Sequence, residues 1–282
     1  MLNSKLNNKV KVNFINIKKW GLVPPLIFLV LLFIYFLFVV KDNFNVNYVN
    51  IQKDLFFVIN NKLSQYTSLQ CNLTQLGDIL ISFSLLSIFS IYASKLWEAL
   101  ITSALLTLVI SSTLKEIFTI PRPAVIFEND SFTIIGRTHR GLASLPSGHS
   151  IATFVVVTVL LYAFMPKKRN YKIFWVSFML AIGLIISFSR VAVGAHFPLD
   201  VIIGSAIGFI IAFICIMISN KFNWLSRIKS KTKQLIFLSL FIICIGLIIQ
   251  KIFNTNLFIF YLSILSLIIT LCLNIIIHVK KN

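Results

Sequence analysis

Long apolar runs alternate with short polar, mostly basic breaks along this chain. The runs are continuous in Phe, Ile, Leu and Val, and several approach or exceed the roughly 20 residues that carry an α-helix across a bilayer. They lack the apolar–polar alternation of an outer-membrane barrel strand. The pattern predicts eight membrane spans at about 20–40, 76–94, 97–114, 147–165, 173–190, 200–219, 235–250 and 257–277. The expected fold class is all-α, a polytopic transmembrane helical bundle.

The run from Trp20 to Val40 follows a basic arm containing Lys5, Lys9, Lys11, Lys18 and Lys19. It is longer than a signal-peptide core of about 7–15 residues, and no small-x-small cleavage site follows, so an uncleaved anchor helix is expected. Pro24-Pro25 falls in the first turns of that helix, where a kink is tolerable. Residues 42–75 read as a polar external segment. Within it, Val49 to Leu63 fits either an amphipathic helix on the membrane surface or a plain linker with some helix. The chain thus divides into a basic cytoplasmic arm (1–19), an anchor helix with an external segment (20–75), a core (76–219), and a basic loop with two C-terminal spans (220–282).

A net charge of +18, from 26 Lys and Arg against 8 Asp and Glu, suggests nucleic acid at first sight. Position explains it better. The alternating breaks 1–19, 95–96, 166–172, 220–234 and 278–282 hold 17 of the 26 basic residues. Seven acids (Asp42, Asp54, Asp78, Glu116, Glu128, Asp130, Asp200) lie on or near the opposite side. By the positive-inside rule both termini are cytoplasmic. The basic stretch 220–234 is expected either to touch anionic headgroups or to serve topology alone. Cys215, Cys244 and Cys272 lie in apolar runs and Cys71 sits alone in a polar loop, so neither a disulfide framework nor a zinc site is indicated. No metal and no cofactor is expected.

The chemistry is concentrated in three short segments: Lys115 with Arg122-Pro123, then Pro146-Ser147-Gly148-His149, then Ser189-Arg190 with His196 and Asp200. All fall at span ends on the same, non-cytoplasmic face. A Lys or Arg at mid-membrane costs roughly 2.5–3.5 kcal/mol, less at a helix end. One such cation is explained by snorkelling. Three that converge with two histidines and an aspartate point to a multivalent anion, and Arg suits bidentate phosphate contacts. Ser147 fits an N-cap, and Gly148 lets an anion approach the N–H groups of a helix start. His149 then suits a general acid for the leaving oxygen. His196 and Asp200 are four apart, with Pro198 in a first helical turn, so they share a face. Asp200 fixes the imidazole tautomer and leaves the other nitrogen free to attack phosphorus.

Lys115-x6-Arg122-Pro123, Pro146-Ser147-Gly148-His149 and Ser189-Arg190-x5-His196-x3-Asp200 together resemble the three-part signature of the type 2 phosphatidic acid phosphatase family. The resemblance implies an integral-membrane lipid phosphatase with a six-helix core. It implies that His196 forms a phosphohistidine, that Asp200 orients it and that His149 protonates the leaving group. Lys115, Arg122, Ser147, Gly148 and Arg190 would hold the phosphate oxygens, without metal. The expected partners are a phosphorylated lipid and the membrane itself. Undecaprenyl diphosphate, lipid A 1-phosphate and phosphatidylglycerol phosphate are the candidate substrates, hydrolysed at the external face of the cytoplasmic membrane. A phosphotransferase acting on an alcohol and a non-enzymatic lipid-binding protein are the alternatives.

Outside the signature, Arg137, His139 and Arg140 in the segment Gly136–Gly141 are candidate headgroup contacts or parts of a solvated basic loop. The last two spans, with Lys251 placed between them, are expected to serve packing or partner contact. Gly204-x3-Gly208 is expected to permit close helix packing.

Overall fold

The structure, a computed structural model, describes residues 2–39, 44–128 and 130–279. Val40, Asp42, Lys280 and Lys281, which enter the span and charge readings above, lie outside the described residues. The chain is a helical bundle of α1 (Leu2–Ile15), α2 (Val23–Val39), α3 (Phe44–Asn50), α4 (Lys53–Ser64), α5 (Thr67–Gln75), α6 (Ile79–Leu85), α7 (Phe89–Tyr92), α8 (Ser94–Phe118), α9 (Pro123–Ile126), α10 (Gly148–Ala163), α11 (Arg169–Ala192), α12 (Pro198–Phe222), α13 (Trp224–Arg227), α14 (Ser230–Asn254) and α15 (Phe258–Val279). Among the described residues six helical segments are long and apolar enough to cross a membrane: 19–38, 94–126, 169–192, 198–227, 230–254 and 258–277. The fold class is the one the hydrophobic pattern predicts.

Two expected spans differ. Helix α10 has only 16 residues, and most of its side chains are buried among its neighbours. The run 76–94 is not one helix but the short helices α6 and α7. Its serines bond back within α6, as Ser hydroxyls in helices do. Ser82 Oγ donates to Asp78 O at 3.0 Å and Ser84 Oγ to Leu80 O at 2.6 Å. The carbonyls at the break are taken from outside: Leu86 O accepts from Trp97 Nε1 at 3.2 Å and Leu85 O from Ser266 Oγ at 3.0 Å. An irregular backbone at membrane depth is tolerable when protein satisfies it in this way. Ser266 and Ser87's partner Thr270 both come from α15, so the C-terminal hairpin packs over the broken segment.

One end of the bundle gathers the basic breaks. The basic arm before the first span forms α1, which buries Val10 and Phe14 in the core. Asn13 Nδ2 donates to Ala163 O at 2.9 Å and Asn220 Nδ2 to Phe14 O at 2.8 Å. The eighth acid, Glu98, is buried there; it pairs with Lys95 at 3.4 Å and accepts from Trp224 N at 2.8 Å. Lys95 Nζ also donates to Ser219 O and to the Asn223 side chain.

The other end is capped by residues 44–75, where α3, α4 and α5 pack on the bundle by one face and leave Leu55 and Val58 exposed on the other. Tyr48, Gln52, Phe56, Asn60 and Ser64 recur every fourth residue and are all buried, so one face of α3 and α4 points inward. Phe56 meets the Phe197 ring at 5.4 Å between centroids. Asn60 Nδ2 donates to Thr133 O, Val191 O and Ala192 O at 3.0–3.1 Å, and Asn60 Oδ1 accepts from Thr133 N at 2.9 Å. Asn60→Ala would remove hydrogen bonds to the buried Val191 and Ala192 carbonyls and to Thr133, each worth about 0.5–1.5 kcal/mol net. A fall in unfolding temperature of the detergent-purified protein, followed by tryptophan fluorescence, is the expected result; an unchanged temperature would show that the cap is not held by Asn60.

Helices α10 and α12 pack through Gly204 and Gly208. A Cβ on Gly204 would lie 2.7 Å from Ser147 O, and one on Gly208 would run into the Ile151 backbone. The close approach expected from that glycine pair is present, and it sets the start of α10 against the start of α12.

Candidate active site

Each sequence segment delivers its side chains from a helix end at the capped face. Ser147 is the N-cap of α10, and its hydroxyl accepts from Ser150 N at 3.4 Å. Gly148 and His149 occupy the first turn behind it. Pro198 is N1 of α12, and Asp200 accepts from the Phe197 N–H at 2.9 Å, as an acid in the first turn can. Ser147 N donates to Asp200 O at 3.1 Å, which ties the two helix starts together.

His196 is the centre of the site. It is buried in the short turn between α11 and α12. Its Nδ1 faces Asp200 Oδ2 at 3.4 Å, and its Nε2 faces Arg122 Nη1 at 3.5 Å. An acceptor at one ring nitrogen assigns the proton to Nδ1, so Nε2 carries the lone pair and turns it toward Arg122. Burial first, then the cations Arg122, Arg190 and Lys115, hold this imidazole well below the usual histidine range. It is therefore neutral at physiological pH.

Asp200 is fully buried and well supplied with donors. Tyr48 Oη donates to Oδ1 at 2.7 Å, and Ser144 Oγ donates to Oδ2 at 2.6 Å. Burial, then the adjacent carboxylate, raises the Tyr48 phenol well above its ordinary range, so it stays a donor. Neither Tyr48 nor Ser144 was singled out in the sequence. Ser144 stands two residues before Pro146; Tyr48 lies in the cap, where only the four-residue repeat of buried positions signals it.

The cations surround the free nitrogen. Arg122 Nη1 also donates to Ala195 O at 3.2 Å. Arg190 is buried; its Nη1 donates to Thr74 Oγ1 at 2.7 Å, while its Nε has no hydrogen-bond partner among the described residues. Lys115 Nζ lies 3.6 Å from where a Cβ on Gly148 would be, so the missing side chain leaves the space between Lys115 and the start of α10. His149 is within electrostatic range of Arg190, His196, His139 and Lys251. A dianion seated here would be met by Arg122, Arg190, Lys115 and the N–H groups of α10.

Of the three loop residues, only His139 turns toward the site. Burial, then the charges of Arg190, Arg122, Arg137 and Lys115, push its imidazole down to about 4. Arg137 and Arg140 are exposed. Among the described residues, no three His, Cys, Asp or Glu side chains converge as they would around a metal ion. A cavity of about 840 Å³ opens between α1, α2, α10, α11 and α12, running from Lys18, Lys167 and Lys172 to Ile202 and Ser205, and no signature residue lines it.

The arrangement joins a neutral imidazole, an orienting carboxylate, a second histidine and a group of cations. Residues 95–224 match the family model of the PAP2 superfamily. This segment is similar to the PAP2 superfamily. The undecaprenyl-diphosphatase BcrC of Bacillus subtilis (strain 168) is 32% identical over 113 residues, which cover 40% of this chain and 52% of that protein. The chain thus spans about half the length of that curated relative. The crystal structure of Aquifex aeolicus LpxE aligns with a TM-score of 0.49 at 29% identity, over 59% of this chain and 95% of that one. The PAP2 segment holds all three signature motifs, whereas Tyr48 and Thr74, which support Asp200 and Arg190, precede it.

Proposed function

We propose that this protein is a metal-independent lipid phosphatase that works through a phosphohistidine at His196. The observation that carries the reading is the double placement of that ring, Nδ1 toward Asp200 and Nε2 toward Arg122. The Nε2 lone pair attacks phosphorus, the bond from phosphorus to the lipid oxygen breaks, and His149 gives that oxygen its proton. Water then attacks the phosphohistidine, His149 takes back a proton, and inorganic phosphate leaves. Arg122, Arg190 and Lys115, with the start of α10, stabilise the charge on the pentacoordinate phosphorus.

Undecaprenyl diphosphate, lipid A 1-phosphate and phosphatidylglycerol phosphate carry phosphate at headgroup depth, where the cluster would sit. The kinship with a protein named undecaprenyl-diphosphatase puts the diphosphate first among them. The distribution of basic residues supports an active site on the external face of the cytoplasmic membrane, with both termini inside. The experiment is phosphate release by the detergent-purified protein from these lipids with EDTA present. No release from any of them would overturn the proposal.

The pH dependence follows from the two histidines, one needed neutral and one protonated. A bell-shaped profile is expected. Since His196 is held low in the free protein, the acid limb of kcat/KM should lie below the ordinary histidine value of about 6.5. A bound phosphate dianion offsets the cations and raises the His196 pKa, so the acid limb of kcat should lie higher than that of kcat/KM. A monotonic rise in both parameters from roughly pH 5 to 9 would rule out the two-histidine scheme.

A further inference from the structure

The strip Thr74–Asp78, the end of α5 and its turn into α6, touches the site at two points and the C-terminal hairpin at a third. Thr74 Oγ1 accepts from Arg190 Nη1 at 2.7 Å. Gly77 lies on the first turn of α10; a Cβ there would stand 3.1 Å from both the Cβ and the carbonyl oxygen of His149. Asp78 and Gln75 face the other way, and both accept from Lys251 Nζ, at 2.6 and 3.1 Å. Asp78 also caps α6, accepting from Leu80 N at 2.9 Å with its other oxygen. Lys251 belongs to the last turn of α14 rather than to the turn after it, and sits over the Phe260 ring at 5.8 Å.

We propose that Lys251 is a positioning residue of the active site, clamping strip 74–78 so that it holds Arg190 and His149 in place. The C-terminal hairpin lies outside the PAP2 segment, and this contact gives it a part in the chemistry beyond packing. The clamp is an ion pair a quarter to a third exposed, so it is adjustable rather than locked. The inference rests on the reading of His149 as the general acid.

The charged and titratable groups around His149 are Arg190 from α11, His196 and His139 from their loops, and Lys251 from α14, with Lys115 of α8 beside Gly148. Asp78 is the carboxylate paired to one of these cations. Removing either member of the pair therefore changes the charge near His149 with opposite sign. The test uses the full-length protein in detergent with Lys251→Met, Asp78→Asn, the double variant and Lys251→Arg, measuring kcat and KM across pH. Each single neutral variant is expected to lower kcat by about tenfold or more through misplacement. The alkaline limb should move up by about half a pH unit in Lys251→Met and down by a similar amount in Asp78→Asn. The double variant should restore the limb without restoring kcat, and Lys251→Arg should recover most of the activity. Unmoved limbs, with activity falling only as far as the folded fraction falls, would overturn the clamp.

Hydrogen exchange gives a readout independent of turnover. Peptides covering 74–85 and 148–153 should exchange faster in Lys251→Met, and unchanged exchange in both would equally overturn the clamp. A wild-type protein that releases phosphate while the variants behave as wild type defeats the clamp alone. A wild-type protein that releases none defeats the catalytic reading, and the exchange result then decides the clamp.

Discussion

His196→Ala is expected to reduce phosphate release by at least about 10⁴-fold, to the level of protein-free controls. The ring holds the one lone pair that the structure places between an orienting carboxylate and an anion-binding cation, since Nε2 faces Arg122 Nη1 at 3.5 Å. Neither remaining site histidine is a substitute. His149 is fixed by the first turn of α10 and is proposed to serve the leaving group, and His139 lies in the loop before it. The fold should survive, because Tyr48, Ser144 and the Phe197 N–H still serve the buried Asp200 carboxylate. The measurement is single-turnover release from a diphosphate and a monophosphate lipid, together with the unfolding temperature. A folded variant that keeps more than about a hundredth of wild-type turnover would remove His196 as the nucleophile.

Asp200→Asn should be the second largest loss, a fall in kcat of about 10²–10⁴-fold with KM little changed. The carboxylate takes hydrogen bonds from Tyr48, Ser144 and Phe197 N while facing His196 Nδ1. An amide keeps the shape and can still accept on one side. Its NH₂ must then take the Oδ1 side, where the Tyr48 hydroxyl can rotate to accept, because the Oδ2 side receives the Phe197 N–H, which cannot accept. The ring is thereby kept in register while the negative charge is lost as the imidazole becomes a cationic phosphohistidine. The loss is therefore expected in kcat, and burst kinetics should show slower phosphoryl transfer. A kcat within about tenfold of wild type would reduce Asp200 to a structural acceptor. Asp200→Ala is expected to fold poorly, because it orphans several buried donors at once.

Some elements could be read from the chain directly and others could not. Helices α8, α11, α12, α14 and α15 follow the apolar runs, because a continuous run of that length leaves the backbone no other way to satisfy itself in lipid. The Ser147 N-cap and Pro198 at N1 were visible because caps are local chemistry. The break at 85–89 was not, because it depends on Trp97 and Ser266 supplying donors from elsewhere in the fold. The cap was missed because Gln52, Asn60 and Ser64 are polar. A hydrophobicity pattern reads such residues as exposed, whereas here Gln52 and Asn60 bury by bonding to backbone groups of other segments.

By itself, the sequence determined the helical membrane class, the gathering of the basic breaks at one end and the three motifs with their internal spacing. These follow from local rules: the length of an apolar run, the placement of Lys and Arg, and the four-residue step of a helix. Only the tertiary structure decided which nitrogen of His196 is free, that Tyr48 and Ser144 hold its aspartate, that Arg190 leans on Thr74, and that Lys251 reaches back to Asp78 from more than 170 positions along the chain. Those contacts join segments whose separation in sequence carries no pattern, and each exists because a buried polar group must find its partner wherever the packing brings one.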